Sequence, residues 1–378
     1  MAWRYKAIGR KYLSTITNTK PTALKFNGEY ISTFSSFNPS DKVLNPFEDN
    51  NAVLDPKNVI DPYNLSLDTE QAFKNQDSKL LLENFNNITI PKDLQTHLKS
   101  IVKEFVPHKN CFGYGSGVFP QQGNQDFSKN QIDMLLSVES PLEWHKMNIK
   151  KNPDHYSSLK YTINIPKLFE KIQGLGAGIY FNPFVKINGS EVKYGILSHS
   201  TLIDDLKNWN TFYLAGRLQK PTVNLSNKEL SDDLELGYWL QRNLISAALL
   251  SKKRCLTKYG SSFTDLQFFT ELCTLSYLGD IRFKLGGENP DKSKNIVLKN
   301  MTNFKLLYDD ILNEIMLWDD KKASLYLPSG YTLENYDTKL QKCIGKSSYT
   351  QAVKGVFTAG IVKSCKYAWA KKIKAMKK

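Results

Sequence analysis

The residues with the clearest capacity for chemistry are a glycine-serine turn and a carboxylate on the strand that follows it. Gly115 and Ser116 end a strand-like run, and Asp133 lies in a buried strand predicted over residues 131–138. Glycine lets the backbone approach an anion closely, and turn amides bind phosphate oxygens. A carboxylate on a rigid strand suits Mg²⁺, which neutralises charge during nucleotidyl transfer. The pattern indicates a nucleotide and magnesium site; an ordinary turn beside a capping or paired aspartate is the alternative.

The elements that must position these groups form a mixed α+β pattern. Two strand-like runs, residues 179–187 and 191–198, meet at Asn188-Gly189, a dipeptide typical of tight hairpins. Apolar periodicity favours helices in the second half of the chain. Helices are predicted over residues 94–105, 236–252, 263–277 and 295–317, and a short β wing over residues 281–288.

Composition limits the class of protein. The chain has 378 residues, 41% of them hydrophobic, which is enough for two domains with tails. Five cysteines without CxxC spacing argue against a disulfide framework and a structural zinc site, and favour a reducing compartment. The net charge of +14 favours anionic partners. No apolar run approaches the ~18 residues that would span a bilayer.

Both ends of the chain are basic. The first acidic residue is Glu29, and the preceding basic, hydroxyl-rich stretch predicts a mitochondrial presequence over residues 1–30. Residues 351–378 contain no acid and predict an amphipathic helix on an anionic membrane. A surface helix packed on the body, or an RNA-contacting tail, is the alternative. The predicted membrane-binding residues are Phe357, Ile361, Lys363, Lys366, Trp369, Lys371 and Lys372.

Several phrases, in the same order, resemble the mitochondrial phosphatidate cytidylyltransferase family, also called the mitochondrial translocator assembly and maintenance proteins. The string Asn208-Trp-Asn-Thr-Phe-Tyr-Leu-Ala-Gly-Arg-Leu-Gln-Lys-Pro221 is the most specific of them. The others are Phe112-Gly-Tyr-Gly-Ser-Gly-Val-Phe119, Gln131-Ile-Asp133, His155-Tyr-Ser-Ser-Leu-Lys160, Gly176-Ala-Gly-Ile-Tyr-Phe-Asn182, Lys193-Tyr-Gly195, Leu275-Ser-Tyr-Leu-Gly-Asp-Ile-Arg282 and Lys354-Gly-Val-Phe-Thr-Ala-Gly360. The resemblance covers the chain from about residue 100 to its end.

The resemblance implies an architecture and a reaction. After the presequence we expect an irregular segment over 31–77 and a nucleotidyltransferase-like domain with a mixed sheet over 78–230. A helical, winged-helix-like domain over 231–330 and a linker with the membrane-docking tail over 331–378 would follow. The implied reaction converts CTP and phosphatidate into CDP-diacylglycerol and pyrophosphate with Mg²⁺, for cardiolipin synthesis. The implied location is the matrix side of the mitochondrial inner membrane, as a peripheral protein on anionic lipids.

Individual residues receive roles from this resemblance. Asp133, Lys193 and Arg217 are the expected catalytic residues, with Asp133 as the metal ligand. Gly115, Ser116, Gly117, Lys160 and Lys220 are the expected nucleotide-binding residues. Asp280 and Arg282 are expected to pair, either between domains or at the substrate. For each cation, a solvated surface charge is the alternative.

One departure concerns the second metal ligand. The wider nucleotidyltransferase superfamily places two acids on the strand as Asp-x-Asp/Glu, and here the second position is Leu135. Glu191 and Asp205 are the candidate replacements, although each is more typical of a surface acid. Two other functions stay open: an RNA-end nucleotidyltransferase, and a non-catalytic membrane scaffold. We expect no nucleic-acid partner, because no aromatic run beside a basic groove is present; the sequence does not indicate an oligomeric state.

Overall fold

The computed structural model describes residues 25–26, 29–31, 84–121, 130–156, 165–226, 232–284 and 286–359. Nearly all of the predicted presequence and irregular segment, the predicted boundary at residue 230, and the tail beyond Ala359 lie outside these ranges. The predicted domain limits therefore stay predictions.

Eight strands lie within the described residues. They are β1 (Lys25–Phe26), β2 (Glu29–Ile31), β3 (Asn110–Tyr114), β4 (Ile132–Val138), β5 (Tyr180–Ile187), β6 (Ser190–Ser198), β7 (Val223–Asn224) and β8 (Ser262–Thr264). The central sheet has the order β5-β6-β4-β3-β7, in which β4 and β6 run parallel and the other neighbours antiparallel. Strands β1, β2 and β8 form a small second sheet.

Eleven α-helices lie in the same described ranges. They are α1 (Lys92–Val102), α2 (Pro141–Lys151), α3 (Ile165–Gly174), α4 (His199–Asn208), α5 (Ala215–Leu218), α6 (Leu234–Tyr259), α7 (Asp265–Leu275), α8 (Ile281–Lys284), α9 (Lys292–Ile315), α10 (Asp320–Ser324) and α11 (Tyr336–Ala359). The strands are concentrated before residue 225 and the long helices after it. The prediction of a mixed α+β protein with a mixed sheet is confirmed.

The hairpin between β5 and β6 forms where the sequence predicted it. Asn188 and Gly189 have φ values of 46° and 81°, the left-handed conformation that both central residues of a tight hairpin turn require. This hairpin places β6 beside β4 in the centre of the sheet. The pairing positions Lys193 next to Asp133.

The predicted β wing over residues 281–288 is wrong. Residues Ile281–Lys284 form the short helix α8. The carboxylate of Asp280 accepts a hydrogen bond from the backbone N–H of Arg282, at 2.9 Å. An aspartate that accepts from the amide two residues on favours the start of a helical turn over an extended strand.

One apolar core joins the sheet to the helices. Buried residues of β4, such as Met134 and Leu136, belong to the same cluster as Leu240 of α6 and Phe304 of α9. Helix α6 packs against α4, α5, α7 and α9 and against strand β8. Among the described helices, none has the length and apolar character that crossing a bilayer would require.

Candidate active site

The candidate site lies on one face of the central sheet, around Asp133. In the antiparallel pairing of β3 with β4, Tyr114 stands opposite Asp133. In the parallel pairing of β4 with β6, Asp133 stands opposite Lys193. Paired residues project from the same face of a sheet. Tyr114, Asp133 and Lys193 therefore share a face, and the Lys193 ammonium lies 3.2 Å from Asp133 Oδ1.

The glycine-serine turn closes beside this carboxylate. Gly115 has φ +77°, and a Cβ added there would lie 3.1 Å from Asp133 Oδ2. Its carbonyl accepts hydrogen bonds from the amides of Val118 and Phe119, at 3.1 and 2.8 Å. Glycine is required here because a side chain would be strained and would crowd the carboxylate. Ser116, the next residue of the turn, is half-buried.

Gly117 has a different structural role from Gly115. A Cβ at Gly117 would collide with the backbone carbonyl of Gln131, directly before β4. The absence of a side chain therefore lets the turn pack against the beginning of that strand. The side-chain amide of Asn130 also donates to the Ser116 carbonyl, at 3.0 Å. The role of Gly117 in phosphate binding stays a prediction.

Aromatic rings pack against the cations of the site. The Lys193 ammonium lies 4.5 Å from the centroid of the Phe181 ring. The Arg217 guanidinium lies 3.5 Å from the centroid of Tyr213 and 5.7 Å from that of Tyr114. Ring faces carry negative electrostatic potential, so they hold the cations in place without neutralising them.

The Tyr213 and Arg217 side chains are positioned by a segment that Asp205 organises. The carboxylate of Asp205, buried in α4, accepts hydrogen bonds from four backbone amides and one hydroxyl. The donors are Thr211 N and Oγ1, Phe212 N, Leu214 N and Ala215 N, at 2.8 to 3.1 Å. Trp209 and Phe212 adopt the left-handed conformation, with φ 52° and 54°. Asp205 is thus a buried structural residue; the interpretations as a surface acid or a metal ligand do not fit it.

Lys220 lies further along the same segment. Its ammonium donates to the Ser276 hydroxyl at 2.7 Å and to the Gly216 carbonyl, and it lies 5.3 Å from the Tyr277 ring centroid. Burial lowers the pKa of Lys220 to about 7. Among the described residues, neither Lys220 nor Arg217 has a carboxylate within salt-bridge distance. Both are half-buried cations without a protein counter-ion.

Asp280 and Arg282 pair with each other, as expected. Arg282 Nε donates to both oxygens of Asp280, at 3.0 and 3.2 Å, and Nη1 lies 3.2 Å from Glu288. Side-chain hydrogen bonding by Arg282 holds the pKa of the Asp280 carboxyl below its usual range despite its burial, which acts in the opposite direction. Whether this pair acts between domains or on substrate stays a prediction.

The residues around Asp133 fit a magnesium ion whose coordination would be completed by a bound substrate. Mg²⁺ in phosphoryl-transfer sites is held by one or two carboxylates together with substrate phosphates. Asp133 supplies one carboxylate, and the Gly115 backbone leaves space beside it. The second candidate, Glu191, accepts a hydrogen bond from Gln131 at 3.0 Å. No group of three acidic, histidine or cysteine side chains that could hold a metal occurs in the described ranges.

The remaining predicted residues cannot be placed. Lys160 lies outside the described residues, as do Ile361, Lys363, Lys366, Trp369, Lys371 and Lys372; Phe357 lies in α11, but its side chain is not described. Sequence reasoning missed the contributions of Tyr114, Tyr213 and Phe181. The sequence did contain a signal for these three residues, because all of them belong to the phrases that carry the family resemblance.

A separate cavity opens at the carboxyl ends of β4 and β6. It has a volume of about 550 Å³, and its lining includes Glu139, Asp204, Glu235 and His199. The three acids outnumber the single lysine of the lining, Lys207, so the charge of the cavity disfavours phosphorylated ligands. The face around Asp133, with its unneutralised cations, is the better site for an anionic substrate.

A glycine turn, a strand carboxylate and half-buried cations lie around one face of the sheet, an arrangement suited to phosphorylated ligands. The family described as "Phosphatidate cytidylyltransferase, mitochondrial" matches residues 98–325 and 329–374. The chain belongs to this family, and it is therefore a nucleotidyltransferase.

Individual relatives agree with this assignment. The chain is 52% identical over 293 residues to the mitochondrial phosphatidate cytidylyltransferase of Saccharomyces cerevisiae, covering 77% of this chain and 73% of the relative. It is 32% identical to the enzyme of that name from Schizosaccharomyces pombe, covering 74% and 84%. A nucleotidyltransferase-like protein from Exiguobacterium sibiricum aligns over 70% of this chain and 77% of its own, at 11% identity and a TM-score of 0.20, too low to bear on the fold.

Proposed function

We propose that this protein catalyses the reaction of CTP with phosphatidate to give CDP-diacylglycerol and pyrophosphate, with Mg²⁺ as cofactor. The family supports the substrates, and one observation in the site supports the chemistry. Arg217 and Lys220 are half-buried cations without carboxylate partners among the described residues, and Arg217 lies 5.7 Å from the ring of Tyr114, which stands opposite Asp133. A buried charge without a counter-ion is costly, so an anionic ligand explains why the fold retains them.

The reaction needs positioning and charge neutralisation more than a general base. The second pKa of a phosphate monoester is about 6, so the phosphatidate phosphate is largely dianionic near neutral pH. One of its oxygens forms a bond to the α-phosphorus of CTP while the bond from that phosphorus to pyrophosphate breaks. Pyrophosphate leaves with the electron pair. No proton has to be removed from the attacking oxygen.

The residues around Asp133 suit this reaction. Mg²⁺ held by Asp133 would neutralise negative charge on the triphosphate. The turn at Gly115 and Ser116 offers backbone amides and a hydroxyl to phosphate oxygens. Lys193 holds Asp133 in place before substrates bind, and Arg217 and Lys220 bring together two anions that would otherwise repel each other. Lys160 and Gly117 are proposed to contact the nucleotide as well.

We further propose the location and the organisation of the chain. The enzyme would act as a peripheral protein on anionic lipids, on the matrix side of the mitochondrial inner membrane, and supply cardiolipin synthesis. The region over 78–230 would be a nucleotidyltransferase-like domain, and 231–330 a winged-helix-like one. Residues 331–378 would connect to and form the membrane-docking tail. The mitochondrial names of the relatives support the organelle.

The test is turnover by the full chain and by Asp133→Asn, an isosteric change that removes the charge. Labelled CTP, Mg²⁺ and phosphatidate vesicles are the reactants, and labelled CDP-diacylglycerol is the product measured. We expect Asp133→Asn to lose at least about a thousandfold in kcat, because several kcal/mol of charge stabilisation disappear. Asp204→Asn, an exposed acid on α4, is the matched control and keeps wild-type turnover.

Two outcomes would contradict the proposal. Equal turnover by Asp133→Asn and Asp204→Asn would remove Asp133 from the site while keeping the reaction. No product from the folded wild type bound to vesicles would favour a membrane scaffold. RNA added as a competitor tests the remaining alternative, because an enzyme acting on RNA ends would prefer RNA to phosphatidate.

A further inference from the structure

The side chain of Tyr114 lies in the candidate site, but the proposed reaction gives it no role. It is the last residue of β3, directly before Gly115, and it stands opposite Asp133 in the sheet. The charged groups acting on it include Asp133, Lys193 and Arg217. The phenol ring therefore lies among the groups that the proposed reaction uses.

The hydroxyl group of Tyr114 is buried, and its proton has no acceptor within the described part of the chain, because the neighbouring Arg217 guanidinium can only donate to the phenol oxygen. Buried polar groups in folded proteins nearly always have a partner, and an exception calls for an explanation. Burial, followed by the nearby Asp133 charge, raises the pKa of Tyr114 to about 12. The hydroxyl therefore keeps its proton at neutral pH, and it can donate a hydrogen bond.

The residues around Tyr114 indicate what kind of group accepts the hydrogen bond of its hydroxyl. Arg217 attracts anions to this face, Lys193 is already paired with Asp133, and the absence of a side chain at Gly115 leaves the Asp133 carboxylate uncrowded. We propose that the Tyr114 hydroxyl donates a hydrogen bond to a phosphoryl oxygen of a bound substrate, which makes it a substrate-contacting residue. The inference rests on the proposed function and adds a residue to its site.

The test uses Tyr114→Phe, which removes only the hydroxyl. Tyr180→Phe is the matched control, because Tyr180 also has a buried hydroxyl without a partner in the described ranges. Tyr180 is opposite Ile196, on the other face of the sheet, packed against His145 and Phe169. The two variants therefore remove the same group from opposite faces.

Ligand-free stability and ligand affinity are both measured on the full chain. The thermal midpoint without ligand is expected to stay equal or rise in both variants, because each loses an unsatisfied hydroxyl. Tyr114→Phe is expected to bind its phosphoryl ligand at least about tenfold more weakly, since a hydrogen bond to a charged oxygen is lost. One arm uses CTP with Mg²⁺ and the other uses phosphatidate vesicles, so the weakened arm identifies the substrate. Tyr180→Phe keeps wild-type affinity in both arms.

Three results would overturn the inference. They are wild-type affinity of Tyr114→Phe in both arms, a lower thermal midpoint of the ligand-free Tyr114→Phe protein, and equal weakening in the two variants. Each of these leaves the proposed function intact if the wild type still makes CDP-diacylglycerol. Failure of the wild type to bind either ligand or make product would instead contradict the proposed function itself.

Discussion

At the scale of single residues, the site is defined by charges that the protein leaves unneutralised. Some half-buried cations of the described structure have carboxylate partners, such as Arg254 with Glu271 at 2.9 Å, and others, such as Lys252, donate to backbone carbonyls instead. Arg217 instead rests on the Tyr213 ring, and Lys220 on a hydroxyl and a carbonyl. These contacts orient the cations and preserve their charge for a ligand.

Lys220 should make substrate binding depend on pH. Burial lowers its pKa to about 7, so the side chain is charged below pH 7 and increasingly neutral above it. The affinity for CTP should therefore fall as pH rises above 7, by up to about tenfold per pH unit where the charged form alone binds. Titration calorimetry with CTP between pH 6 and pH 9 measures this dependence.

Two substitutions distinguish the effect of Lys220 titration on CTP affinity from the effect of titration of the nucleotide. The side chain of Lys220→Arg stays charged throughout this pH range, and that of Lys220→Met is never charged. The part of the pH dependence of CTP affinity that is due to Lys220 should therefore vanish in both variants. Wild type should resemble Lys220→Arg at low pH and Lys220→Met at high pH. Parallel curves for all three proteins would show that Lys220 does not titrate on binding.

The sequence predicted part of this site and could not reveal the rest. Asp133 was recognisable because it is the one acid in an apolar strand that follows a Gly-Ser turn. The role of Asp205 was hidden, because its five donors become neighbours only when Trp209 and Phe212 adopt left-handed conformations. The contact of Tyr114 with Arg217 likewise joins two residues that are distant in sequence and close only after folding.

At the scale of elements, local signals were reliable where local interactions decide the structure. The Asn188-Gly189 turn specifies its own conformation, so the hairpin was predictable. Residues 281–285 alternate between apolar and basic side chains and two glycines follow, which suggested a β wing. The side chain of Asp280 instead caps a helical turn, and pairing strands are absent from the described surroundings of α8.

The stability of the segment between α4 and α5 should depend strongly on Asp205. Asp205→Ala leaves four backbone amides without an acceptor, and three of them belong to the buried residues Phe212, Leu214 and Ala215. We expect a loss of about 3–5 kcal/mol in the free energy of unfolding, measured by urea denaturation. A displaced Arg217 should also reduce kcat/KM.

The neighbouring aspartate provides the control for that substitution. Asp204 is exposed and accepts hydrogen bonds only from the side chains of Asn208 and Asn210 among the contacts described. Asp204→Ala should cost less than about 1 kcal/mol and leave kcat/KM unchanged. Similar losses in the two variants would show that the five hydrogen bonds of Asp205 do not organise the segment.

At the scale of the whole molecule, the last described helix is fixed to the sheet. The buried Lys354 ammonium of α11 donates to the carbonyls of Gln173 and Leu175, at 3.1 and 2.9 Å. A Cβ at Gly176 would meet the side chain of Thr350. The basic tail therefore follows a helix that is anchored near β5. Sequence periodicity could indicate the amphipathic tail, but these contacts join residues about 180 positions apart, and periodicity carries no such information.

The final prediction concerns how that tail binds a membrane. Each lysine near an anionic surface contributes about 1 kcal/mol, so replacing Lys371 and Lys372 by glutamine should weaken vesicle binding by about 2 kcal/mol, or about thirtyfold. Cosedimentation with anionic vesicles measures the change, and ~1 M salt should remove most of the difference. The matched control replaces the exposed Lys150 and Lys151 of α2, which alters net charge equally. Turnover of detergent-dispersed phosphatidate should be unchanged in both, because neither pair belongs to the proposed catalytic residues. Equal weakening by the two pairs would mean that overall charge, and not the tail, attracts the protein to the membrane.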